Sequence, residues 1–193
     1  PSAPGQLTLS TPDDVSLAQA LAFGGPLIVF AAHASSGSLS TSNGLTVNAP
    51  LTLAPGANAL TDAAGTTTLD AVDADASGSS LTIDNSAAPG EVDLEGDIGA
   101  TAPLSALTVL TPTGGGAAAI VFDTAHAVTT TGTQAYSGDV QSYGPVALTS
   151  SQQGVSIAGN VQLGDSLTVD SAGASSIAGT IAETAYVGVA TQY

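Results

Sequence analysis

Cysteine, lysine, arginine, methionine and tryptophan are all absent from this chain of 193 residues. Without cysteine there is no disulfide framework, no thiolate nucleophile and no cysteine metal site. A secreted chain of this kind must be held by a long hydrogen-bonded ladder and a continuous core. Without lysine or arginine, sixteen Asp and Glu residues leave a formal net charge of −16. Such a surface has no cations to replace the counterions of a phosphate backbone, which argues against nucleic-acid binding. The same charge disfavours anionic lipid. Calcium, cationic partners or plain solvation are its natural counterparts. Trypsin-like proteases find nothing to cut, which suits an exposed extracellular object. Aromatic residues make up only 4%, so apolar content resides in Ala, Val, Leu and Ile and fits narrow, evenly spaced core positions. Disorder is argued against by the 43% hydrophobic content.

Long hydrophobic runs are also lacking. The most apolar stretch, Leu17 to Ala34, ends in Ala32-His33-Ala34, a small-x-small pattern. Asp13 and Asp14 precede it where a signal peptide needs positive charge, and Gly24-Gly25-Pro26 interrupts it. It is too short and broken for a transmembrane helix, so no membrane insertion is expected.

What is present is short alternation. Leu45-Thr46-Val47, Leu51-Thr52-Leu53, Leu81-Thr82-Ile83, Val155-Ser156-Ile157, Val161-Gln162-Leu163 and Leu167-Thr168-Val169 each place apolar residues two apart. Period two puts one set on the inner face of a strand and the other in solvent. Gly, Pro, Asn, Asp and Ser punctuate these runs every few residues. Thr11-Pro12-Asp13-Asp14 is the one competing signal: it has the form of a helix N-terminus, with Gly24 as a stop. Val15-Ser16-Leu17 nevertheless alternates like its neighbours.

Segments also resemble one another. Gly44-Leu45-Thr46-Val47 with Leu51-Thr52-Leu53 matches Gly154-Val155-Ser156-Ile157 with Val161-Gln162-Leu163. Ser80-Leu81-Thr82-Ile83-Asp84 matches Ser166-Leu167-Thr168-Val169-Asp170. Ala135-Tyr136-x-Gly138 with Tyr143 matches Ala185-Tyr186-x-Gly188 with Tyr193. The spacings divide into units of about 20–25 residues, the length of one coil of a β-solenoid. We therefore expect a single all-β domain over 1–193, a right-handed parallel β-helix with coils stacked at about 4.8 Å. A β-sandwich array is the structural alternative. The whole would be a subunit or a segment of a longer repeat protein.

The segments Asn43-Gly44-Leu45-Thr46-Val47-Asn48-Ala49-Pro50-Leu51-Thr52-Leu53 and Val128 through Val140 resemble the coils of filamentous-haemagglutinin-type and related large secreted bacterial β-helix proteins. The resemblance runs from about Val15 to Ile181 and rests on low-complexity motifs. It implies a right-handed parallel β-helix, export to the cell surface, and adhesive or matrix roles. That family offers no catalytic residues to carry over. The chain departs from it in having no lysine or arginine.

Candidate chemistry is sparse. Glu91, Asp93, Glu95 and Asp97 alternate with Val92, Leu94 and Ile98 in one acidic run, and on a strand the four carboxylates share a face. Calcium would relieve their repulsion. A solvated outer face is the plainer reading, since no calcium-loop spacing is present. Asp70, Asp73 and Asp75, with Gly78, form a second acidic patch; Asp73 and Asp75 are spaced like the start of a calcium loop, whose closing Glu is missing. On adjacent coils the two patches could share one ion. His33 and His126 fall in no metal-ligand pattern, and Gly114-Gly115-Gly116 lacks the Lys of a phosphate loop. A lyase would need a cation at its enolate. A glycosidase needs a cleft with two carboxylates, and aromatic sugar platforms are scarce. A non-enzyme is expected. The tyrosine units suggest that the last coil of one chain, with Tyr186 and Tyr193, stacks on the first coil of another, with Leu7 and Leu9. Such a contact does not close, and gives a fibre.

Overall fold

The computed structural model describes residues 5–17, 20–31, 33–75, 78–87, 90–112 and 120–183. All regular structure among them is short parallel β-strand, and none is helical. The strands form three walls of a β-solenoid. The first wall is an unbroken nine-stranded sheet from Leu7–Ser10 to Ile181–Glu183. The third wall is an eight-stranded sheet from Leu21–Phe23 to Ser176–Ile177. The second wall comprises a four-stranded sheet, Val15–Leu17 to Val72–Asp73, and a three-stranded one, His126–Thr130 to Leu167–Ser171. Ile98 joins these two by bridging Val72 and Val128.

Every pairing aligns inward residue with inward residue. On the first wall Leu27 pairs with Leu45, Val92 with Ile120, and Val140 with Val161. On the third, Leu60, Ile83, Val109, Tyr136 and Ile157 follow in register. These columns are buried along the middle of the rod. A one-residue slip would turn each column into solvent, so the alternation fixes the register. β-branched and leucine side chains suit such strands, and parallel sheets are stable where one long core covers them.

Coil length varies along the solenoid. Leu27 and Leu45, on successive coils, are 18 residues apart, and Val92 and Ile120 are 28 apart. The expected range was narrower at both ends. In the longer coil Ile98 and Leu104, six residues apart, bridge Val128 and Thr130, which are two apart, so residues 99–103 loop out between paired positions and the ladder resumes in register.

The corner entering the first wall is built on glycine. Gly5, Gly25, Gly65, Gly90, Gly138, Gly159 and Gly179 each stand two residues before a first-wall strand; in the sequence Asn43 and Ala118 take that position before the other two. A Cβ on Gly25 would overlap the carbonyl oxygen of Gly5, one on Gly90 that of Gly65, and one on Gly159 that of Gly138. Successive coils approach too closely there for a side chain.

The helix signal at Thr11 resolves as two strands, Val15–Leu17 and Leu21–Phe23. The Thr11 hydroxyl does accept the Asp13 N–H at 3.1 Å, as a cap would, but within a turn. The internal similarities hold as strand motifs and not as coil positions. Leu45–Asn48 lies on the first wall, while its counterpart Val155–Ile157 lies on the third. Ser80–Asp84 lies on the third wall and Leu167–Ser171 on the second. In each case the later copy is displaced by one wall. The similarity involving Tyr186 and Tyr193 lies outside the described residues.

Candidate functional site

The acidic groups gather where the first wall turns toward the second. Leu69, Leu94 and Phe122 are in register on three successive coils, so the next residues, Asp70, Glu95 and Asp123, follow one another along the corner. Asp93 points outward from the strand Val92–Leu94, between Thr68 and Val121 of adjacent coils. One carboxylate oxygen from each of Asp93, Glu95 and Asp123 lies within 4.8 Å of the others. Asp93 Oδ1 is buried and has no hydrogen-bond partner. Burial first, and then the neighbouring charges of Asp123, Glu95 and Glu91 in that order of weight, together raise the Asp93 carboxyl from its ordinary 3.8 to about 6. Unneutralised, the cluster repels itself. It can hold a proton, or supply part of the oxygen shell of a hard cation such as calcium, with water and carbonyl oxygens completing it.

The sequence run divides at this corner. Asp93 and Glu95 join the cluster, and Glu91 stands beside it. Asp97 does not share their face, because the strand ends at Leu94 and the chain turns at Gly96 onto the second wall. A Cβ on Gly96 would overlap Ala71 N of the preceding coil. Asp97 Oδ1 accepts the Ala127 N–H at 2.8 Å and lies 3.7 Å from His126 Nδ1. The second acidic patch is likewise engaged in hydrogen bonds to its own chain. Asp73 Oδ1 accepts N–H groups of Thr101 and Ala102 at 2.9 and 3.0 Å. Asp75 accepts the Ser79 hydroxyl at 2.8 Å. Asp123 was missed by sequence reading, since it is 28 residues from Glu95. Only the coil register brings them together.

His33 is exposed and pairs with Asp14 at 3.1 Å. His126 is buried, and its Nε2 accepts the Thr124 N–H at 3.4 Å. Its Nδ1 faces Asp97.

Both end coils leave their columns half covered. Leu7, Leu9, Val15, Leu17 and Leu21 are intermediate in exposure, while Leu27, Val29, Ala34 and Leu39 directly beyond them are buried. At the other end Ile181 is 57% exposed and Val169 37%. Tyr186 and Tyr193, the other half of the expected stacking contact, lie outside the described residues. A groove of about 450 Å³ near this end is lined by Leu163, Gly164, Asp165, Ser166 and Glu183 and brings two carboxylates to one opening. Among the described residues no helix is long and apolar enough to cross a membrane. No family model, curated protein or solved structure matches this chain.

Proposed function

We propose that the chain is a non-catalytic, extracellular scaffold: a solenoid rod serving as adhesin stalk, matrix fibre or filament subunit, and stacking end to end on further copies of itself. The observation that carries this reading is the single in-register ladder of nine first-wall strands with apolar columns left half covered at both described end coils. Open strand edges and uncovered columns are the complementary surfaces such stacking uses. Secretion is supported by the composition, with no thiol for a reducing compartment to protect and no lysine or arginine for a trypsin-like protease. Negative-stain electron microscopy of the full-length natural product is expected to show rods or filaments that lengthen with concentration. Dispersed particles of fixed length at every concentration would refute end-to-end stacking.

A second reading, a calcium-binding surface-layer or biofilm module, is favoured by the convergence of Asp93, Glu95 and Asp123. Calorimetric titration with calcium is expected to give one site that Asp93→Asn removes. No heat and no change in melting temperature with chelator would eliminate this reading and leave the scaffold standing.

A further inference from the structure

The chain contains a single Asn-Gly dipeptide, Asn43-Gly44. It turns the chain into the strand Leu45–Asn48. Asn43 is exposed. Gly44 has φ +115°, a conformation that residues with a Cβ avoid. The turn therefore demands glycine at the position that makes an asparagine chemically labile, because an unhindered following nitrogen can attack the side-chain amide.

The corner is held from several sides. The Gly44 N–H donates to Asp62 Oδ1 at 3.0 Å, and the Gly44 carbonyl accepts the Leu27 N–H at 3.1 Å. Asp62 Oδ1 also accepts the Thr41 hydroxyl at 3.1 Å and the Ala64 N–H at 3.4 Å. Gly65 of the next coil covers the dipeptide so closely that a Cβ there would lie 2.8 Å from Gly44 N and 3.0 Å from the Asn43 carbonyl carbon. Asp62 itself is only 1% exposed, and its Oδ2 has no hydrogen-bond partner. A buried carboxylate without a cation costs stability. Its placement against the one reactive backbone nitrogen gives it a task that a neutral apolar residue could not perform.

We propose that Asn43 is a latent modification site, able to form a succinimide, and that Asp62 guards it by holding the Gly44 nitrogen away from the Asn43 side chain. When the corner opens, Gly44 N attacks Asn43 Cγ. The N–Cγ bond forms, the Cγ–Nδ2 bond breaks, and the displaced nitrogen leaves as ammonia with the former Gly44 proton. Water then opens the ring at either carbonyl, giving aspartate or isoaspartate. Isoaspartate lengthens the main chain by one methylene under Gly65, and either product adds a negative charge beside Asp62. Modification would thus part the third and fourth coils from one another. The site is independent of the role proposed above.

Because reaction requires local opening, the rate follows the open population, and a hydrogen bond to a charged group lowers that population about tenfold or more. The test is the rate of ammonia loss at Asn43, read by peptide mass spectrometry after incubation at neutral pH. The native chain is expected to react about tenfold or more slowly than the urea-unfolded chain. Asp62→Ala is expected to recover most of that difference, and Asp62→Asn, whose Oδ1 still accepts the Gly44 N–H, to stay near the native rate. Thr41→Val, which leaves the Gly44 bond intact, serves as a control for loosening of the corner. Hydrogen exchange at the Gly44 amide needs no variant and is expected to be slow. A native rate equal to the unfolded rate, rapid exchange at Gly44, or a folded Asp62→Ala that reacts no faster than the native chain would each overturn the proposal.

Discussion

The phenol of Tyr136 donates a hydrogen bond to Oε1 of Gln134 at 3.1 Å, and both side chains lie inside the solenoid. Gln134 Nε2 in turn donates to the carbonyls of Val128, at 3.1 Å, and Thr149, at 2.8 Å. One buried amide therefore links the third wall to the second on two successive coils. Burial pushes the Tyr136 phenol up from its usual value, so it remains a donor throughout the accessible pH range. Its ring meets Phe122 edge-on, with centroids 6.4 Å apart.

This network predicts an unequal pair of variants. Tyr136→Phe leaves one acceptor lone pair unmet and is expected to cost about 1–2 kcal/mol. Gln134→Leu strands the buried phenol and removes a second donor from each of two strand carbonyls, and is expected to cost about 2–4 kcal/mol. Urea unfolding gives both values, and the reverse ranking would show that Gln134 is not the hub.

The glycine corner predicts a positional contrast. Gly159→Ala forces a methyl into the backbone of the coil below and is expected to destabilise by about 1–3 kcal/mol. At Gly37 the nearest neighbours of an added Cβ lie at 3.9 and 4.0 Å, so Gly37→Ala is expected to change stability by less than about 0.5 kcal/mol. Equal melting temperatures for the two variants would contradict the close stacking of that corner.

Asp93 predicts a pH dependence of definite sign. Its carboxyl is raised from 3.8 unfolded to about 6 folded, so between those values the folded chain retains a proton that the unfolded chain has released. Its contribution is most favourable below about pH 4, declines as pH rises to about 6, and stays low above that. The difference between native chain and Asp93→Asn in chelator is expected to show this slope and to vanish below about pH 4. Calcium is expected to raise the melting temperature of the native chain above pH 6 and to have little effect at pH 4, where the site holds a proton. A difference curve that is flat across the window would dismiss the shift.

Ser142 predicts a stabilising substitution. It points inward between Phe122 and Leu163 on neighbouring coils, and its hydroxyl has no partner. An apolar void of about 10 Å³ adjoins it, bordered by Phe122, Tyr136 and Leu148. Ser142→Val removes the unmet hydroxyl and fills the space, and is expected to stabilise by about 1 kcal/mol. A lower urea midpoint would mean that water already occupies the void and satisfies the hydroxyl.

The architecture was legible because period-two alternation needs only local sequence: Leu45-Thr46-Val47 cannot bury both leucine and valine except as a strand. The phase of the coils was not. Leu45–Asn48 and Val155–Ile157 look alike because every wall makes the same demand, apolar inward and polar outward, so similarity identifies a strand and not its wall. The glycine two residues before seven of the nine first-wall strands would have supplied the phase. It was obscured by glycines at other turns and by Asn43. The acidic site was half legible for a related reason. Glu91, Asp93 and Glu95 stand together in sequence, but whether Asp97 remains with them depends on where the strand stops, and Asp123 arrives through a coil lengthened to 28 residues.

The one-wall displacement between similar segments has a consequence for ancestry. If a strand with its corner can occupy any of three walls, the unit that can be copied is about a third of a turn. A recombination event need not preserve a whole coil to yield a foldable product, since an insertion out of phase by one wall still presents leucine and valine to the axis. Such a chain can grow in small steps, and its visible repeats then drift out of step with its geometry, as they do here.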